Sequence, residues 1–183
     1  FKPEDHDYQV PQIQKYHKIA IVSFLYNWPS TGGGNIHTTE LLQFLSHADY
    51  EVQHFCVSYE PWQIGQIEPG SPIKSQVLDF TSDKWNAHTI RERIRESVSE
   101  WGPDCVLITD SWNFKPHLAD AVNEFPYFLR MQAQECLCPL NNLQMLPGPQ
   151  GLAPCDNNQF LNPETCFNCL IKNRSGQLHQ LER

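Results

Sequence analysis

Lys18 to Phe24 reads KIAIVSF, a β-branched apolar run without polar alternation. A strand of that kind has to be covered on both faces, which points to a parallel sheet between helices and away from a half-solvated antiparallel one. It is followed by a glycine-rich turn, LYNWPSTGGG, and then by Asn35 to Ala48. There Ile36, Leu41, Leu42, Leu45 and Ala48 mark one apolar helical face, and Asn35 is placed to cap its start. Glu51 to Val57 makes a second strand and Gln76 to Phe80 a shorter third. Asn86 to Trp101 is a helix with Ile90, Ile94, Val98 and Trp101 on one stripe, ended by Gly102–Pro103. Cys105 to Thr109 (CVLIT) is another buried strand, Lys115 to Phe125 a helix, and Tyr127 to Met131 a further strand. This order predicts an α/β fold: an open, mainly parallel Rossmann-like sheet with right-handed crossovers and helices on both faces.

A chain of 183 residues suits one domain with a substantial core. The expected division is an irregular N-terminal segment over 1–17 and a single α/β domain over 18–183. The first residue is Phe1 and not Met, which suggests a piece excised from a longer polypeptide. Composition shifts at about residue 132, where a Cys-rich loop begins that runs to about 172.

That loop holds five cysteines in thirty-four residues, Cys136, Cys138, Cys155, Cys166 and Cys169, spaced C-x-C-x16-C-x10-C-x-x-C. Its many Pro, Gly and Asn residues give it no helical or strand period, so something other than a hydrophobic core has to fix it. A Cys-x-x-Cys pair sets two thiolates around one tetrahedral ion, and two more from a distant segment close the site. Cys138, Cys155, Cys166 and Cys169 are the expected ligands of a structural zinc, with Cys136 able to replace Cys138 on the same side of an extended chain. Disulfides, redox-active thiols and an iron–sulfur cluster stay open as alternatives. Against a disulfide framework stand the odd total of seven cysteines and the placement of Cys56 and Cys105 in apolar strands, where a thiol behaves as a small hydrophobe. A thioredoxin-type reading of Cys166 and Cys169 is weak, because the motif follows Asn162–Pro163 in an expected loop and not a strand.

The formal net charge is −8 with 13 Lys and Arg, and these form no run beyond Arg91, Arg93 and Arg95 on one helical face. Nucleic acid is a poor partner for such a surface. No apolar stretch is long enough to span a bilayer and no signal-peptide pattern opens the chain. A soluble protein of a reducing, cytoplasmic compartment is expected, with peripheral membrane association left open.

In open parallel sheets ligands bind beyond the carboxyl ends of the strands. Gly32, Gly33 and Gly34 precede a helix start there, so their N–H groups can approach a phosphate at the helix's positive end; a turn that merely needs flexibility is the plainer alternative. The spacing is not G-x-G-x-x-G, and the second strand ends without the acidic residue that binds a ribose, which disfavours a dinucleotide site. His37 lies one turn into the helix and faces either the crevice or solvent. Asp110, Ser111 and Trp112 leave the strand CVLIT with a carboxylate, a hydroxyl and an aromatic plate, a set suited to a hydroxyl-rich ligand, although capping and packing also account for it. Arg130 at the end of the next strand, and Gln132 and Glu135 after it, are further candidates. No G-x-S-x-G elbow is present, so nucleophilic hydrolysis has no support.

These features in this order resemble the amino-terminal domain of family 4 glycosyltransferases, enzymes of the GT-B fold. The resemblance rests on KIAIVSF, the loop Pro29 to Gly34, Gly32-Gly33-x-x-x-His37 before LLQFL, Glu51-Val52, Pro103-Asp104-Cys105-Val106, and Cys138-Pro139 followed by Cys155, Cys166 and Cys169. It covers roughly residues 18 to 172. It implies one half of a GT-B fold that binds the acceptor, a sugar, lipid or small molecule, while its glycine loop approaches the phosphates of a nucleotide-sugar donor. By resemblance Gly32, Gly33, Gly34 and His37 fall to the donor-phosphate loop, and Asp110, Ser111, Trp112, Arg130, Gln132 and Glu135 to the acceptor side. Two departures matter. Gln132-Ala133 stands where many members carry His-Asp, so no catalytic residue is assigned, and the carboxy-terminal donor-binding domain is missing from these residues, so the fragment alone should be inactive. The expected function is a sugar transfer that retains anomeric configuration; the alternative is a non-catalytic, zinc-stapled module that binds a glycan or a protein.

Overall fold

A computed structural model describes residues 16–111, 114–134, 137, 138, 140 and 144–172. Five strands, β1 (Lys18–Ser23), β2 (Glu51–Ser58), β3 (Ser75–Asp79), β4 (Cys105–Thr109) and β5 (Tyr127–Leu129), form one sheet in the order β3-β2-β1-β4-β5. Every pairing in it is parallel, with Ser23 beside Cys56 on one side and Thr109 on the other. The helices are α1 (Gly33–His47), α2 (Ala87–Trp101), α3 (Lys115–Ala121) and α4 (Pro163–Lys172). The expected open α/β sheet is the observed one. The segment 1–15 lies outside the described residues.

The alternation of side chains along each strand divides the core. Ala20, Val22, Phe55, Val57, Val106 and Ile108 turn to one face and pack with Ile90, Ile94 and Val98 of α2 and Leu118 of α3. At its edge Trp85 stacks on Phe24 and Tyr59, with ring centroids 5.6 and 4.1 Å apart. On the other face Ile19, Cys105, Leu107 and Phe128 line a groove with Leu41 and Leu45 of α1. Each fully buried aliphatic or aromatic side chain contributes about 1.5–3 kcal/mol.

Local chemistry sets the boundaries. Asn86 caps α2 by accepting a 2.9 Å hydrogen bond from the Thr89 N–H, and Gly102 closes the helix at φ 65°, where a side chain would be strained. The helix expected over Lys115–Phe125 stops earlier, at Ala121, with Val122 as its C-cap. β5 is likewise shorter than expected, pairing only with Val106–Ile108 of β4.

The segment from 132 onward departs from the irregular loop expected of it. Met145–Gly148 (β6) and Gly151–Pro154 (β7) form an antiparallel hairpin, closed by Gly151 at φ 114°. Pro163 opens α4 with Glu164 in its first turn, as a helix start favours. Cys166 and Cys169 therefore sit on a helix and not in a loop.

A line of side-chain hydrogen bonds crosses four strands inside the sheet. Ser75 of β3 meets His54 Nδ1 at 2.7 Å, His54 Nε2 meets Ser23 Oγ of β1 at 3.0 Å, and Ser23 meets Thr109 of β4 at 2.7 Å. Both ring nitrogens are thereby satisfied with the imidazole fully buried. Burial pushes the pKa of His54 down to about 3, so the ring is neutral at physiological pH.

Candidate functional site

The sheet order reverses between β1 and β4, since β2 and β3 follow on one side and β5 on the other. The region beyond these two strand ends is where open α/β sheets bind ligands. Two chain segments meet there. The β1 exit leads through Tyr26 and Asn27 into α1, and the β4 exit bends at Asp110, whose Leu25-bonded backbone holds φ at 41°. A non-glycine residue in that left-handed region costs about 1 kcal/mol or more and persists only when its surroundings hold it there.

Asp110 is 4% exposed, and its Oδ2 accepts a 2.5 Å hydrogen bond from Thr38 Oγ1 on α1. Its Oδ1 lies against the backbone of Gly34: a Cβ at Gly34 would collide with that oxygen and stand 2.9 Å from Gln132 Oε1 and 3.2 Å from Gln132 Nε2. Gly34, Asp110 and Gln132, three of the residues singled out by sequence, are thus brought to one point. The carboxylate sits at the N-terminal end of α1, where the helix dipole favours negative charge. No acidic residue occupies that first turn and no side chain caps it.

The three glycines are not equivalent. Gly32 is the N-cap, at φ −75° and ψ 124°, with its N–H bonded to Ser30 Oγ at 3.1 Å. Gly33 has open space where a Cβ would stand. Only Gly34 is required by close packing. Asn35 is not the cap expected of it. It is the third helical residue, and its side chain ties the β1 exit to α1 by donating to Leu25 O at 2.8 Å and accepting from Asn27 N at 3.1 Å.

Ser111 is fully buried and its Oγ has no hydrogen-bond partner, as is true of Arg130 Nη1. A buried donor left unpaired costs about 1–3 kcal/mol, so both atoms are places where a bound group would gain. Arg130 extends the β5 edge through its N–H bond to Ile108 O at 2.9 Å. His37 is exposed on α1. Trp112, Glu135 and Cys136 lie outside the described residues.

Sequence reading missed Thr38, Tyr26 and Lys115. Thr38 supports Asp110, Tyr26 OH and Thr39 Oγ1 are 2.7 Å apart behind the β1 exit, and Lys115, 4% exposed, opens α3 just after the β4 exit. Burial raises the pKa of Tyr26. A Thr-Thr pair inside a helix carries no signal of its own; only the fold sets it opposite Asp110.

Among the cysteines, Cys138 and Cys166 are buried, Cys155 and Cys169 half-buried, and none of these four is in a disulfide. Among the described residues no three His, Cys, Asp or Glu side chains stand at metal-ligand geometry. Cys56 is buried in β2, and burial together with the Asp79 charge raises its thiol to about 12, which makes it inert.

The all-parallel sheet, with its order reversing between β1 and β4, defines a Rossmann-like α/β domain. Comparison with known proteins gives no matching family model, no similar curated protein and no similar solved structure. Among the described residues no helix is long and apolar enough to cross a membrane.

Proposed function

We propose that this chain is the acceptor-binding domain of a retaining glycosyltransferase, which moves a sugar from a nucleotide donor to a hydroxyl group. The observation that carries the reading is the meeting of Gly34, Asp110 and Gln132 at the β1/β4 reversal. It supplies a carboxylate and an amide for sugar hydroxyls beside a helix N-terminus suited to an anion.

The two charges divide the space. Asp110 already occupies the inner side of the α1 N-terminus, so a donor diphosphate belongs on the open side, at Gly32 and Gly33. First-turn N–H groups have no partner within the helix, and they would stabilise the charge that develops on a departing nucleotide diphosphate. Asp110 Oδ1 and the Gln132 amide would orient the acceptor. In this reading a second α/β domain supplies the nucleotide site, and zinc serves the fold and takes no part in the reaction.

Gln132 favours one other reading. An amide moves no proton, so the same crevice suits a module that holds a glycan without reacting it. The test is mass-detected sugar transfer by the full-length protein across a panel of nucleotide sugars and acceptors. Transfer that falls at least tenfold in Asp110→Asn supports the enzyme. Failure of the folded protein across the panel, with glycan binding retained, supports the module.

A further inference from the structure

Cys138, Cys155, Cys166 and Cys169 come from three separate stretches that the backbone draws together. Cys166 and Cys169 are three residues apart on α4 and share a face. Cys155 follows β7 directly, and its N–H bonds to Gln144 O at 2.8 Å, which fixes it at the open end of the hairpin. Cys138 ends a turn in which its N–H bonds to Gln134 O at 3.0 Å. That turn is tied to the approach of α4 by the Gln159 N–H, which donates to Leu137 O at 2.9 Å.

The link runs on into the helix, since the Asn162 N–H bonds to Asn158 O at 2.8 Å and the Cys166 N–H to Asn162 O at 3.0 Å, which joins the Cys138 turn to the first turn of α4. The Gln144 amide donates to Asn157 O at 2.7 Å and ties the open end of the hairpin to the same stretch. Leu152, Phe160, Leu161 and Phe167 are 58–78% exposed, whereas Cys138 and Cys166 are 9% and 8% exposed. Cys166 is the buried residue of α4, while Phe167 beside it and Leu152 of the hairpin are exposed, the reverse of a segment ordered by a hydrophobic core.

We propose that Cys138, Cys155, Cys166 and Cys169 bind one zinc ion in a closed site of four thiolates, which staples the hairpin and α4 to the turn after β5. Four sulfurs suit zinc, and a protein without an open ligand position holds it as a structural ion. With sulfurs about 2.3 Å from the metal, tetrahedral geometry sets them about 3.8 Å from one another, so side-chain rotation has to close the group as each thiol gives its proton to solvent. The stapled turn begins two residues after Gln132, which makes the ion a brace for the crevice-facing residues 130–132. The site is independent of whether the crevice transfers sugar.

The test is elemental analysis of protein purified without added metal, with about one zinc per chain expected. Cys166→Ser and Cys169→Ser should each remove most of it, while Cys56→Ala should retain it. Because a cysteine variant can fail to fold for other reasons, the wild-type protein is measured as well. Stripping the metal should make four additional thiols reactive, and cobalt(II) added to the stripped protein should give the thiolate charge-transfer bands of a tetrahedral sulfur site. Metal-free protein with these cysteines in disulfides would overturn the proposal, as would iron in place of zinc. Zinc retained in Cys138→Ser but lost in Cys136→Ser would overturn the assignment of Cys138.

Discussion

Thr38 Oγ1 donates a 2.5 Å hydrogen bond to the buried Asp110 Oδ2, joining residues 72 positions apart across the β1/β4 reversal. The bond locks α1 to the β4 exit and holds the carboxylate where it meets Gly34. Thr38→Val keeps the shape of the side chain and removes the donor. Hydrogen bonds to charged groups are worth about 1.5–3 kcal/mol, so the variant should lose about that much stability in urea denaturation. A loss below about 0.5 kcal/mol would mean that Asp110 is held by other groups.

Gly34→Ala and Gly33→Ala should differ in sign or size although the residues are neighbours in one helix. Alanine gains roughly 0.5–1 kcal/mol over glycine within a helix, and the open space at Gly33 lets that gain appear, reduced by its place at the helix end. At Gly34 the new methyl meets Asp110 and Gln132, and overpacking of this kind costs about 1–3 kcal/mol, which outweighs the gain. Paired denaturation curves decide it; equal effects at both positions would contradict the close approach at Gly34.

His54 should make the protein acid-sensitive. Its folded-state pKa is lowered from 6.5 to about 3, so above pH 6.5 the ring is neutral in both states and pH has no leverage through it. Below 6.5 the unfolded chain takes a proton that the folded one refuses. Stability should therefore fall between pH 6.5 and about 3, with a slope approaching 1.4 kcal/mol per pH unit. His54→Gln keeps polar atoms near Ser23 and Ser75 and removes the titration. The slope of unfolding free energy against pH should be shallower in the variant over pH 6 to 4; identical slopes would mean that His54 is protonated in the folded protein.

The sheet was legible because its central strands, β1 and β4, are nearly continuous apolar runs covered on both faces, and the α2 boundaries because Asn86 and Gly102 act locally. The site was legible only as a region. Three adjacent glycines look alike in sequence, and what separates Gly34 from Gly33 is the approach of Asp110 and Gln132 from distant parts of the chain. Thr38 carries no local mark for the same reason. Asparagine before an apolar helical face usually caps it, but here the cap is Gly32, three residues earlier, and the Asn35 amide holds the β1 exit. The Cys-rich segment hid a hairpin, since short exposed strands rich in Pro and Gly have no alternation to announce them, whereas α4 carried a readable start in Pro163 and Glu164.

The central claim is that the β1/β4 crevice receives a sugar-bearing ligand. Amide chemical-shift mapping of the 183-residue chain tests it most directly, with uridine diphosphate and a mixed oligosaccharide pool as probes. The account predicts that the diphosphate perturbs Gly32 and Gly33, that the oligosaccharides perturb Gly34, Asp110, Ser111 and Gln132, and that Asp110→Asn weakens the second response and spares the first. Shifts confined to the groove of Leu41, Leu45, Leu107 and Phe128, or no saturable shift with either probe, would contradict it.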